Sequence, residues 1–194
     1  MKRSLVVASL LLCVGSSVLV ADESRNWFVG GEFGGMRSKS EAKVSGVGSE
    51  SDHLNSSYES LKFGKYFDFG RIYGFVSHQN KKDDTYSNTF GLGYDYLFKT
   101  TTAFTPFVGA TLGYTKVKID DEDIKDMGMD SPKGLTYGLN VGTLYAFNKN
   151  LDFEVGARYL KHNNIDEKFN LGPVSAKLEI KDSIQYYIGL NYNF

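Results

Sequence analysis

From Asn26 to the C-terminus, apolar and polar residues alternate with a period of two, the side-chain repeat of a strand whose faces meet different surroundings. The last segment is the clearest: Ile184, Tyr186, Ile188, Leu190, Tyr192 and Phe194 share one face, and Ser183, Gln185, Tyr187, Gly189, Asn191 and Asn193 the other. Leu151, Phe153, Val155, Ala157 and Tyr159 likewise oppose Asp152, Glu154, Gly156 and Arg158. Leu135, Tyr137, Leu139 and Val141 oppose Thr136, Gly138, Asn140 and Gly142, and Phe104, Val108, Ala110, Leu112 and Tyr114 oppose Thr105, Gly109, Thr111, Gly113 and Thr115. Phe90, Leu92, Tyr94, Tyr96 and Phe98 oppose Gly91, Gly93 and Asp95, and near the start Trp27, Val29 and Phe33 oppose Gly30, Glu32 and Gly34. Two segments are less regular. In 58–67 Lys65 shares the face of Leu61, Phe63 and Phe67; in 71–79 either Tyr73 and Phe75 or Ile72 and Val76 face outward, and the pattern does not choose.

Eight segments are an even number, which permits a closed up-and-down sheet. Their connections alternate in length. Short ones lie at 68–70, 100–103 and 148–150, and long ones, rich in Ser, Asp, Glu, Lys and Asn, at 38–57, 80–86, 118–133 and 163–181. One end of the barrel therefore carries tight turns and both termini, and the other carries the loops.

A soluble barrel with an apolar interior would show the same period, so composition of the polar face decides which way it points. A solvated exterior is crowded with Lys and Glu; here that face is mostly Gly, Thr, Asn and Ser, which suits a narrow bore. The opposite face carries Phe, Tyr, Leu, Val and Ile, with Trp27, Phe98, Phe104, Phe147, Tyr192 and Phe194 gathered at the turn end, where an aromatic girdle meets a membrane interface. The expected fold is all-β: an eight-stranded antiparallel up-and-down transmembrane β-barrel. Closure follows because backbone groups in hydrocarbon have no water to satisfy them.

The chain has 194 residues with 14% aromatics, 21 Gly, three Pro and one Cys, and a formal charge of −1. That charge offers no electrostatic case for nucleic acid, and a single Cys excludes a disulfide framework. Lys2 and Arg3 precede an apolar run from Ser4 to Val20, closed by Ala21 and a polar stretch, the layout of a secretory signal. The run is shorter than the ~20 apolar residues of a helical span, and Leu12 before Cys13 is too large for a lipoprotein cleavage site. The domain plan is a signal peptide over 1–21 and an outer-membrane β-barrel over 22–194.

The chain resembles the small outer-membrane β-barrels of Gram-negative bacteria, similar in plan to the transmembrane domain of outer membrane protein A and to outer membrane protein X. Phe194, Tyr192, Leu190, Ile188 and Tyr186 carry the likeness most specifically, since they resemble the C-terminal signal read by the outer-membrane assembly machinery. The resemblance implies an outer-membrane location and contact with outer-membrane lipid and lipopolysaccharide. The wall-tethering role of longer family members is not expected, for want of a peptidoglycan-binding domain after Phe194.

Inward positions include Glu32, Lys62, Asp95, Glu154 and Arg158, expected to pair and hold the bore shut rather than to tune a pore. Glu154 and Arg158 share a face and are candidates to pair with each other or with neighbours. The inward glycines argue the other way, as they leave room for water. His53, His78 and His162 lack the His-x-Ser arrangement of barrel deacylases, so no enzyme is expected. Asp120, Asp121, Glu122 and Asp123 lack calcium-loop spacing and read as solvated; no cofactor or metal is expected. Val174, Ala176, Leu178 and Ile180 continue the even-numbered apolar register of the last segment, which predicts a strand running from about 174 to 194 and projecting beyond the membrane. Such a projecting edge suits an extracellular protein partner. The expected role is structural and surface interaction by a monomer; the alternative is a narrow channel for ions or small solutes.

Overall fold

The computed structural model describes residues 26–44, 48–82, 85–119, 132–163, 165–171 and 174–194. Their regular structure is all strand: β1 (Trp27–Val44), β2 (Gly48–Phe67), β3 (Gly70–Lys82), β4 (Thr85–Leu97), β5 (Phe104–Ile119), β6 (Lys133–Ala146), β7 (Leu151–Asn163), β8 (Asp166–Leu171) and β9 (Val174–Asn193). Each pairs antiparallel with its neighbour, β7 pairs with β9, and β9 returns to β1, which closes an eight-stranded transmembrane barrel with β8 outside the ring. At the seam Phe194 N–H donates to Trp27 O at 2.9 Å and Trp27 N–H to Phe194 O at 3.2 Å.

Outward faces toward the turn end are mostly apolar, as at Ile184 to Leu190 on β9, Phe90 to Tyr96 on β4 and Leu135 to Val141 on β6. Leu92, Leu139 and Val141 are each about 60% exposed or more, far beyond what a water-soluble surface gathers in one contiguous patch. Aromatics pair along the turn end: Trp27 stacks on Phe63 at 5.3 Å, Tyr96 meets Phe98 at 5.1 Å and Phe104 meets Tyr145 at 4.9 Å. Lys65 lies over the Trp27 ring at 5.4 Å and Lys99 over Phe69 at 5.6 Å. A cation snorkelling among rings is what an interface accepts, which explains why Lys65 shares an apolar face.

The undecided segment resolves: Ile72 and Val76 face outward, and Arg71, Tyr73 and Phe75 face the bore. The long connections are a correction. Strands β1 and β2 run through nearly all of 38–57, and β8 with the start of β9 fills most of 163–181. Above the apolar band the sequence loses its period-two contrast although the strands continue. The acidic stretch 120–123 and the expected signal segment 1–21 lie outside the described residues.

The projecting strand over 174–194 is present as β9, but two expectations about it change. Ala176, Leu178 and Ile180 are not an edge, because they face β1 on one side and β8 with Ile165 on the other; Val174, beyond the last β1 partner, pairs with Leu171 of β8. The projecting sheet runs β2, β1, β9, β8, so its free edges belong to β2 and β8. The even-numbered register also breaks: a bulge places Asp182 opposite Lys39 but Ile180 opposite Ser40. The extra residue Lys181 reverses the alternation, and Ile180 lines the bore instead of continuing the face of Ile184. Ala176 and Leu178 fall opposite Val44 and Ala42 in the same shifted register.

Candidate functional site

Alternation delivers one charged side chain after another to the lower bore: Glu32 from β1, Lys62 from β2, Arg71 from β3, Asp95 from β4, Glu154 and Arg158 from β7. All are buried. Arg71 Nε donates to Asp95 Oδ2 at 2.7 Å, and its two terminal nitrogens clasp Glu154 at 2.8 and 3.0 Å. Lys62 Nζ donates to Glu154 Oε2 and to Glu32 Oε1, both at 2.8 Å. Arg158 Nη2 completes the run on Glu32 Oε1 at 3.2 Å. The order Asp95, Arg71, Glu154, Lys62, Glu32, Arg158 alternates in sign and sums to zero.

Strands β3 and β7 lie on opposite sides of the ring, four strands apart in either direction. The Arg71–Glu154 clasp therefore crosses the full bore. Glu154 also accepts from Asn191 Nδ2 at 2.8 Å and Tyr187 O–H at 3.3 Å; Asp95 accepts from Asn140 Nδ2 and from Tyr73 O–H at 3.4 Å. Three rings pack round the Arg71 guanidinium, Phe107 at 5.0 Å and Phe28 and Tyr73 at 5.5 Å, and Tyr187 lies 5.0 Å from that of Arg158. Buried charges of this kind persist only when fully paired.

Of the pairings open to Glu154 and Arg158, the structure takes the neighbours: Arg158 bonds Glu32, and Glu154 bonds Arg71 and Lys62, while four residues along one strand separate the two by roughly 13 Å. One expectation needs correcting: the inward glycines do not make room for water. A Cβ at Gly156 would lie 2.6 Å from the Tyr187 ring and one at Gly142 2.6 Å from Phe107, and Tyr73 covers Gly93 in the same way. These glycines are seats for rings.

Arg71 was missing from the expected set because the facing of 71–79 was open. The signal was in the charge sum. Glu32, Asp95 and Glu154 against Lys62 and Arg158 leave one carboxylate uncompensated, and the bore needs a sixth residue of positive charge. Asn140, Tyr73 and Asn191 carry no comparable signal, since their types are common on any polar face.

Above the plug the bore widens into a cavity of about 210 Å³. A chain of side-chain hydrogen bonds circles its wall: Thr89 to Thr115 at 2.8 Å, Thr115 to Thr136 at 2.7 Å, Thr136 to His162 Nδ1 at 2.9 Å, His162 Nε2 to Ser183 at 2.9 Å, and Ser183 to Ser38 at 2.8 Å. It links β4, β5, β6, β7, β9 and β1. On β7 the lipid-facing band ends at Tyr159, with Lys161 and Asn163 exposed beyond it. His162, above that band, is held by burial below the usual imidazole range, at about 4, against a smaller upward pull from Asp182. It is therefore neutral at pH 7. His162 and Ser183 form a Ser–His contact, but the other ring nitrogen meets a hydroxyl, not the carboxylate of a catalytic triad. His78 bonds Asn88 at 2.8 Å and His53 lies exposed on β2. Among the described residues no His, Cys, Asp and Glu group is arranged to hold a metal.

The family model for the outer membrane protein beta-barrel domain matches residues 6–194. Among solved structures, OprG from Pseudomonas aeruginosa is 19% identical with a TM-score of 0.64, covering 88% of this chain and 96% of that one. Neisserial surface protein A is 19% identical with a TM-score of 0.59, covering 87% and 97%. OprH from P. aeruginosa, solved in micelles, is 26% identical with a TM-score of 0.55, covering 87% and 99%. No curated protein matches the chain.

Proposed function

The chain belongs to the outer membrane protein β-barrel family, and from that premise we propose that it serves the bacterial outer membrane as a closed, non-enzymatic, monomeric barrel. Its contribution is to membrane integrity and to surface interaction through the sheet that β1, β2, β8 and β9 raise above the apolar band. Residues 1–21 direct export, and Tyr186, Ile188, Leu190, Tyr192 and Phe194 present the C-terminal face to the assembly machinery. Lipid and lipopolysaccharide are the surroundings of the outward face, and an extracellular protein partner would meet the projecting sheet.

The observation that carries the closed-bore reading is the Arg71–Glu154 clasp across the barrel, inside a neutral network with rings packed round it. An ion entering this region must break two charge-assisted bonds and part the flanking side chains. The surface reading draws support from the likeness to Neisserial surface protein A, whose name places it at a cell surface. The absence of a carboxylate behind the Ser183–His162 contact supports a non-enzymatic role.

A narrow channel is the second reading. It is favoured by the buried hydroxyls of Ser60 and Thr111, which have no side-chain or backbone partner, and by a void of about 20 Å³ beside Thr111 and Arg158. That is about the space one water needs. Conductance across planar bilayers separates the readings: silence is expected for the plug, and stable discrete openings would establish the channel.

A further inference from the structure

The cavity above the plug plays no part in closing the bore, and its wall has a defined hydrogen-bonding capacity. Six groups, Ser38, Thr89, Thr115, Thr136, His162 and Ser183, make five mutual bonds. Each hydroxyl carries one hydrogen and two lone pairs, and a neutral imidazole one of each. Five bonds use five of the six hydrogens. One hydroxyl hydrogen therefore remains for another partner, while lone pairs remain in excess. At the floor, buried Gln185 adds a donor that is poorly used: its Nε2 has only the Met36 thioether at 3.3 Å, a weak acceptor. The cavity wall also includes Leu54, Leu160, Ile165 and Ile180.

The charges nearest the floor, Arg158 and Glu32, are already paired with each other. A carboxylate or ammonium entering the cavity would lose its hydration with no counter-charge in return. A neutral group that both donates and accepts, on a short apolar stem, would instead find lone pairs along the belt, a donor at Gln185 and aliphatic side chains.

We propose that the upper bore is a binding vestibule for a small uncharged molecule with an amide or alcohol head and an apolar tail. The head lies against the Thr115–His162–Ser183 belt and Gln185, and the tail against Leu160 and Ile165. The site goes beyond the structural role proposed above and stands whether or not the bore conducts.

The test is titration of the full-length barrel, refolded into phosphatidylcholine nanodiscs, with hexanamide, hexanoate and hexylammonium, read by NMR at the His162 ring and at threonine methyl groups. Hexanamide is expected to give saturable shifts confined to the belt, and the two charged congeners none. Thr115→Val, close in shape but without the hydroxyl, is expected to weaken hexanamide at least tenfold, and Leu160→Phe, which fills part of the cavity, to abolish saturation. If Leu160→Phe fails to refold, Thr115→Val and the charged congeners still decide. Shifts that rise linearly with concentration, as lipid partitioning gives, would overturn the proposal. So would equal binding by the charged congeners, undiminished binding in Thr115→Val, or no response at all.

Discussion

The lower and upper halves of the bore are made by the same strands, yet one is full and the other hollow. Below, long charged side chains reach across the diameter and rings lie down on glycines that leave them space. Above, short hydroxyls reach only their neighbours round the wall, and a cavity of about 210 Å³ remains. Strand number fixes the width of the cylinder; side-chain length then decides whether it is bridged. The two halves should accordingly respond very differently to substitution.

The largest effect is expected at the plug. Arg71→Met leaves Asp95 and Glu154 short of their shared cation and should destabilise the barrel by about 3–5 kcal/mol, the cost of an uncompensated buried charge, measured by urea unfolding in lipid vesicles. A loss under about 1 kcal/mol would mean that the region is hydrated and the clasp dispensable. Next comes the lipid face: Leu139→Arg, midway along the outward side of β6, should cost about 2–4 kcal/mol in the same assay, and a neutral outcome would place that face in water. At a ring seat, Gly156→Ala pushes a methyl into the Tyr187 ring and should cost about 1–3 kcal/mol as overpacking; an unchanged or raised midpoint would show the ring free to move. In the upper belt, Thr115→Val removes the hydroxyl that bonds both Thr89 and Thr136 and should cost about 1–2 kcal/mol, the net value of two hydrogen bonds. Asn55→Lys, exposed on the projecting part of β2, should shift stability by no more than about 0.5 kcal/mol. A reversal between the Arg71 and Thr115 variants would break the contrast between the halves.

The barrel was legible wherever a strand divides lipid from bore, because there the two faces demand opposite chemistry. Ile184 to Phe194 and Leu151 to Tyr159 needed nothing more than their period. Legibility failed where that demand lapses. Ser49 to Asn55 form part of a strand but do not alternate apolar with polar, and so read as loop. Lys181 reverses the alternation through one bulged residue that no local pattern marks, so Ile180 was assigned to the wrong face. At the site, five of the six charges followed from alternation, and the sixth was recoverable from the unbalanced sum. The hydroxyl belt was not legible: Thr89, Thr115, Thr136 and Ser183 are ordinary residues for a polar face, and only the stagger between neighbouring strands brings them into one chain of bonds.

Everything depends on oily side chains facing lipid while the charged network lies within. Trp27 is the only tryptophan in the chain and sits outward at the turn-end girdle, so its fluorescence reports on this directly. In vesicles containing lipids brominated near the glycerol end of the acyl chain, Trp27 emission is expected to be strongly quenched, with little effect from aqueous iodide. Strong quenching by iodide and none by the brominated lipid would contradict the account.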